Sequence, residues 1–321
     1  MSLNQLFIEN PNIVINTDID GFLCGMVLQK YYGCKVVGFS NSRETVWLSQ
    51  DIDDIDFPIY IDLYVSRPNV ICIEQHIIAF NQEHHRRIQS YGTKINPNLD
   101  RERTFIGDMQ SDYYHKYPFG TIHYLISLME REGIHVELPD LERVCKFRSY
   151  INPNEQIKTW AGHVILRADD ALFSTLRGYP DNALDWWEWL DPNSEFDSIQ
   201  KLKDFISKCK PEKAWPYKDN IGAFFMGLGC DDIDGAFDKV TGGEGMLLDK
   251  VKNYRDVIGS IVGMDLTLPE TYSIHTGVYD KDIRRPNSDM SILNSPRLYS
   301  YAFIFGPGKD KANFSYTTDL Q

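Results

Sequence analysis

Apolar residues in the first half of the chain come in short blocks that end in acids. Ile13-Val14-Ile15 runs into Asn16-Thr17-Asp18-Ile19-Asp20-Gly21, and Pro58-Ile59-Tyr60-Ile61 ends in Asp62. Val70-Ile71-Cys72-Ile73 ends in Glu74-Gln75-His76, and Val164-Ile165-Leu166 leads to Arg167-Ala168-Asp169-Asp170. Blocks this short, bounded by polar residues, read as buried strands, and strands are predicted over 12–17, 35–39, 57–62 and 69–74. Helical spacing predicts helices near 21–32, 43–50, 78–91, 118–132 and 139–150. Strands alternating with helices imply an α/β fold with a doubly wound, mainly parallel sheet.

The pattern changes after residue 155. A helical stretch carries Trp160, His163 and the Asp169-Asp170 pair, and Asp185-Trp186-Trp187-Glu188-Trp189-Leu190-Asp191 is then broken by Pro192. A first domain is expected over 1–192 and a smaller C-terminal α+β domain over 193–321. Trp186 and Trp189, three apart, fit one buried helix face better than a stacking platform for bases. Beyond a helical stretch at Gln200–Lys208, residues 300–316 read as a hairpin with Gly306-Pro307-Gly308 at its turn.

Composition narrows the class. The 321 residues are 42% hydrophobic, enough for two ordinary cores, and no apolar run approaches bilayer length. Cys24, Cys34, Cys72, Cys145, Cys209 and Cys230 are widely separated without a C-x-x-C pair. Reduced thiols in a cytoplasm are therefore expected, and structural zinc is not. A net charge of −13 gives no general footprint for a nucleic-acid backbone, although a few local cations suffice for a nucleotide or a short single strand.

Strand ends are where open α/β sheets bind ligands, so the acids there carry the candidate chemistry. Asp18 and Asp20, spaced by one residue, can aim two carboxylates into one concavity, where a divalent cation relieves their repulsion. The other reading of the same hexapeptide is a capped helix start with Asp20 as its N-cap.

Taken in order, D-x-D-G, then Asp62, then Glu74-Gln75-His76, then Asp169 resembles the DHH phosphoesterase superfamily, and within it the RecJ-like branch. Lys94-Ile95-Asn96-Pro97-Asn98 is similar to an I-N-P-N stretch of that branch, and Pro118-Phe119-Gly120-Thr121-Ile122 falls where the family has a Gly-containing helix start. The resemblance covers roughly residues 10–175. It implies one or two Mn²⁺ or Mg²⁺ ions, with Asp18 serving the first and Asp20 the second. Asp62 bridges them, Asp169 completes the second site, and His76 faces the scissile phosphate. The substrate implied is a small phosphorylated molecule, a nucleotide or a short oligonucleotide, hydrolysed at a phosphoester or phosphoanhydride bond. Arg167 is then a carboxylate partner or phosphate clamp, and Arg284, Arg285 and Arg297, with Lys309 and Lys311, are candidate phosphate contacts.

Two departures stand against that activity. Asn16 replaces a further Asp of the branch, and Gln75 stands where an imidazole ordinarily ligates the second metal. A carboxamide oxygen is a neutral, hard donor that holds Mn²⁺ less well. The alternative is therefore a catalytically eroded DHH-like pseudoenzyme serving as a binding or assembly module. Glu83-His84-His85 mimics the missing motif but reads as helix surface, Thr241-Gly242-Gly243-Glu244-Gly245 as a turn or phosphate loop, and Asp232-Ile233-Asp234-Gly235 as a coincidental repeat or cap.

Overall fold

A computed structural model describes residues 2–107, 113–137, 182, 185–186, 189–190, 225–233, 235–308 and 311–321. Strands β1 (Asn12–Asn16), β2 (Lys35–Ser40), β3 (Thr45–Ser49), β4 (Ile59–Ile61), β5 (Cys72–Ile73), β6 (Lys94–Ile95) and β7 (Tyr272–Thr276) form one sheet, in the order β6-β5-β4-β1-β2-β3-β7. The first five in that order run parallel, and β3 and β7 add antiparallel at the edge. The fold is α/β with a parallel core, as expected.

Both faces of the central strands are buried, which is why they read as unbroken apolar runs rather than alternations. Ile13 and Ile15 of β1 join one core, and Val14 between them joins another. On the first face lie α1 (Leu3–Glu9), α2 (Ile19–Tyr32), α5 (Thr121–Arg131) and α6 (Asp249–Val262), which supply Phe22, Leu125, Tyr254 and Ile258 to one cluster. Helix α2 ends at Gly33, which takes the left-handed conformation (φ 68°) that terminates a helix cheaply. Each large apolar side chain fully buried there contributes about 1.5–3 kcal/mol. The opposite face packs Val14, Leu48 and Tyr60 against Tyr299 and Leu320 from the end of the chain. Helices α3 (Gln82–Gln89) and α4 (Pro97–Asp100) flank β6 in sequence.

The expected helix over 43–50 is instead β3. Trp47 faces the helical core while Val46 and Leu48 face the other, and a period of two between buried faces demands a strand. The expected helix over 139–150 lies outside the described residues, as do Trp160, His163, the helical stretch 200–208, Cys145 and Cys209. Cys24, Cys34, Cys72 and Cys230 are buried free thiols.

The C-terminal region forms a second, antiparallel sheet of β8 (Val278–Pro286), β10 (Lys311–Thr318) and β9 (Leu298–Gly308), with β10 central. The β9–β10 pairing is the expected one, but Gly306, Pro307 and Gly308 form the end of β9, with Gly308 paired to Lys311, rather than the turn. Tyr301, Phe303 and Phe314 from it pack on Ile78, Phe80 and Phe105 in the loops beyond β5 and α4. The boundary expected at 192 lies outside the described residues, while β7 and α6 from beyond it are built into the layers of the first sheet. Trp186 is fully buried, its indole N–H donating to His115 O at 3.0 Å, and Trp189 packs edge-on against it. Arg101 and Arg131 cover these two rings. The pair is a core staple rather than a base-stacking platform. Among the described residues no helix is long and apolar enough to cross a membrane.

Candidate functional site

Asp18, Asp20 and Asp62 converge at the carboxyl edge of β1 and β4, and all three are buried. Asp18, not Asp20, is the N-cap of α2, one carboxylate oxygen accepting from Gly21 N–H at 3.0 Å, while Asp20 lies in the first turn. Gly21 lies so close to the Asn16 backbone that a Cβ would strike its carbonyl oxygen, so glycine is required at this turn. Asp20 reaches across to α5 and takes its free N-terminal amides, accepting from Thr121 N–H at 2.7 Å and Ile122 N–H at 2.9 Å. A Cβ on Gly120 would stand 2.7 Å from that carboxylate, so the helix start is shaped to admit it. Asp62 follows β4 in the left-handed conformation (φ 60°), an unfavourable backbone held by its surroundings, and accepts from the Thr121 hydroxyl at 2.6 Å. Cys24 lies beside the group, its thiol pushed well up by burial and then by the charges of Asp20, Asp62 and Asp18.

Asn16 is the piece whose role the sequence does not disclose. Its side-chain amide nitrogen donates to Asp18 Oδ2 at 3.3 Å and to Asp62 Oδ2 at 3.1 Å, while its oxygen accepts from Thr17 N–H at 2.8 Å. An N–H₂ group thus sits between the two carboxylates that a cation shared by Asp18 and Asp62 needs.

Asp18, Asp20 and Asp62 each spend oxygens on protein donors, and among the described residues no three His, Cys, Asp or Glu side chains stand as a metal-holding group. Gln75 directs its amide nitrogen to within 3.5 Å of His76 Nε2. Asp169 and Arg167 lie outside the described residues.

The Glu74-Gln75-His76 turn is held by the Ile95-Asn96-Pro97-Asn98 segment. Glu74 N–H donates to Ile95 O at 3.1 Å. The Asn96 side-chain amide donates to a Glu74 carboxylate oxygen and to His76 O, and the Asn98 amide donates to Gln75 O at 2.7 Å. The asparagines therefore secure the loop, with Asn96 also capping α4. Glu74, fully buried, folds back on its own turn: its other oxygen lies 2.6 Å from His76 N and 3.2 Å from His76 Nδ1.

His84 and His85, expected on a helix surface, are buried on the inner side of α3. His84 Nδ1 accepts from Phe80 N–H at 3.2 Å, and His85 Nε2 lies 2.9 Å from Leu99 O. Burial, reinforced by Arg87 and His85, lowers the His84 pKa to about 3. Both imidazoles are thus engaged by backbone groups of Phe80 and Leu99. His123, which no motif singled out, is buried in the first turn of α5 with Nδ1 accepting from Gly120 N–H, and burial lowers its pKa to about 4.

The candidate phosphate contacts are spread over the second sheet. Arg297 forms a forked pair with Asp319, and Arg285 bonds the Tyr316 hydroxyl at 3.0 Å and approaches Asp289 at 3.5 Å. Arg284 is exposed on β8, and Lys309 lies outside the described residues. The glycine-rich 241–245 segment makes a tight turn in which a Cβ on Gly245 would strike Tyr272 O. Asp232 accepts from Ala236 N–H at 2.9 Å, closing a local turn.

Together, fold and site define an α/β protein with a buried acid cluster at its sheet edge. No family model, curated protein or solved structure matches the chain.

Proposed function

We propose that this chain is a doubly wound DHH-like protein whose acid cluster has become an internal clasp, and that it works as a binding or assembly module rather than as a two-metal phosphoesterase. The observation that carries the reading is the Asn16 amide, which donates to Asp18 and Asp62 together. A neutral donor there does part of a shared cation's work, holding two carboxylates side by side, without offering a Lewis acid or an activated water. The clasp joins three elements: β1 through Asn16, β4 through Asp62, and the start of α5 through Thr121 and Asp20. Such an arrangement gives clustered acids a structural reason to be present.

Purified protein incubated with Mn²⁺ or Mg²⁺ tests this. Pyrophosphate, dinucleotides, cyclic dinucleotides and short single strands should all remain intact. Release of phosphate or mononucleotide that Asp62→Ala abolishes would overturn the proposal in favour of hydrolysis at this site.

A further inference from the structure

The turn after β5 holds a second constellation, separate from the clasp, whose geometry selects a ligand. His76 carries a half-open imidazole, its side chain 39% exposed, while the Glu74 side chain beneath it is 1% exposed. Glu74 is tied down on both oxygens, one by the Asn96 amide and the other by His76 N–H. It therefore cannot swing toward Asp18 or Asp62 without abandoning those bonds. The second oxygen also faces His76 Nδ1 at 3.2 Å. A carboxylate accepts and never donates, so the proton of a neutral imidazole in this position belongs on Nδ1. Nε2 is then left with its lone pair outward. Among the described residues, the Gln75 amide approaches that nitrogen, its own nitrogen 3.5 Å away, the outer limit of a hydrogen bond.

We infer that Glu74 is a positioning residue that fixes His76 as an outward hydrogen-bond acceptor, and that the Gln75–His76 pair recognises a neutral N–H-bearing edge, of the kind a nucleobase offers, rather than a phosphate oxygen. In the neutral imidazole the outward lone pair repels an anion, whereas a ligand N–H can replace the long contact from Gln75 at little cost. Once displaced, the Gln75 carboxamide offers a donor and an acceptor beside Nε2, which suits the paired groups on a base edge. The chain's charge of −13 also favours contact with a base over contact with a backbone. The ligand part rests on the binding reading above, while the role of Glu74 does not.

Nitrogen-15 NMR of the histidine rings in the full chain, at alkaline pH, tests the two parts separately. His76 should show the Nδ1–H tautomer in the native protein. Glu74→Ala should move it toward the Nε2–H form that free histidine prefers, and Glu74→Gln, which keeps an acceptor, should retain Nδ1–H. An Nε2–H tautomer in the native protein overturns the positioning role, whether or not the variants fold. Titration with cytidine should then shift the His76 Nε2 resonance, and inorganic phosphate should not. A shift with phosphate, or none with cytidine, overturns the ligand assignment while leaving the test of hydrolysis untouched.

Discussion

Replacing Asn16 with aspartate is the sharpest test of the clasp. The change is nearly isosteric, so it alters charge and hydrogen bonding with little change in volume. It removes both donations from the amide nitrogen, to Asp18 at 3.3 Å and Asp62 at 3.1 Å. Hydrogen bonds to charged groups are worth about 1.5–3 kcal/mol each, so roughly 3–6 kcal/mol is at stake from the donors alone. The new carboxylate also faces two others at hydrogen-bond range, where like charges repel by about 4 kcal/mol per pair at an effective dielectric near 20. Proton uptake would relieve part of this, and a net loss of about 4–6 kcal/mol at neutral pH is expected, a large share of a typical domain's stability. Urea unfolding followed by fluorescence measures the loss. Mn²⁺ should restore stability to Asn16→Asp, because a cation then replaces the missing donor, and should leave the native protein unchanged. If Asn16→Asp is as stable as the native chain without metal, the amide is not holding the acids together and the clasp is wrong.

Three further outcomes follow from the same geometry. Thr121→Val keeps the shape but removes the hydroxyl that donates to Asp62 at 2.6 Å, and should cost about 1.5–3 kcal/mol in chemical denaturation. Gly120→Ala puts a methyl 2.7 Å from the Asp20 carboxylate, and should prise Asp20 off the start of α5, lowering amide-exchange protection at Thr121 and Ile122. His84 and His123 have folded pKa values of about 3 and about 4, below that of an unfolded histidine near 6.5. The unfolded chain therefore binds more protons across that window, so their contribution is complete above about pH 6.5 and is lost as pH falls toward the folded values, by up to about 1.4 kcal/mol per pH unit for each. Unfolding midpoints measured across that range should fall less steeply in His84→Asn and His123→Asn.

How much of this was legible in the sequence depended on how local each cause was. Strands β1 and β4 could be read because Ile13-Val14-Ile15 and Ile59-Tyr60-Ile61 are buried on both faces, leaving an apolar signature with no tertiary knowledge needed. Strand β3 could not, because Thr45-Val46-Trp47-Leu48-Ser49 is too short for its period to outweigh the polar flanks. Convergence of Asp18, Asp20 and Asp62 followed from strand ends sharing one sheet edge. What held them did not. The Asn16 amide meets Asp62 46 residues away, and Asp20 meets Thr121 101 residues away, and no local pattern encodes such partners. His84 and His85 were misplaced for a related reason. Polar neighbours suggested solvent, but the inner side of α3 faces the loops after β5 and α4, where backbone partners at Phe80 and Leu99 compensate two buried imidazoles.

The last strand of the first sheet sets a timetable for the chain. Strand β7 zips along β3 from Thr45↔Thr276 to Ser49↔Tyr272, so the two partners are separated by about 220 residues of synthesis. At 5–20 residues per second, β3 waits roughly ten to forty seconds on the ribosome with one edge open. During that interval the nascent sheet presents Val46, Trp47 and Leu48 on a strand paired with β2 along one edge and open along the other, a template for another extended chain. That edge closes only once residue 276 has emerged, so chains stalled before that point should aggregate more readily than the full chain.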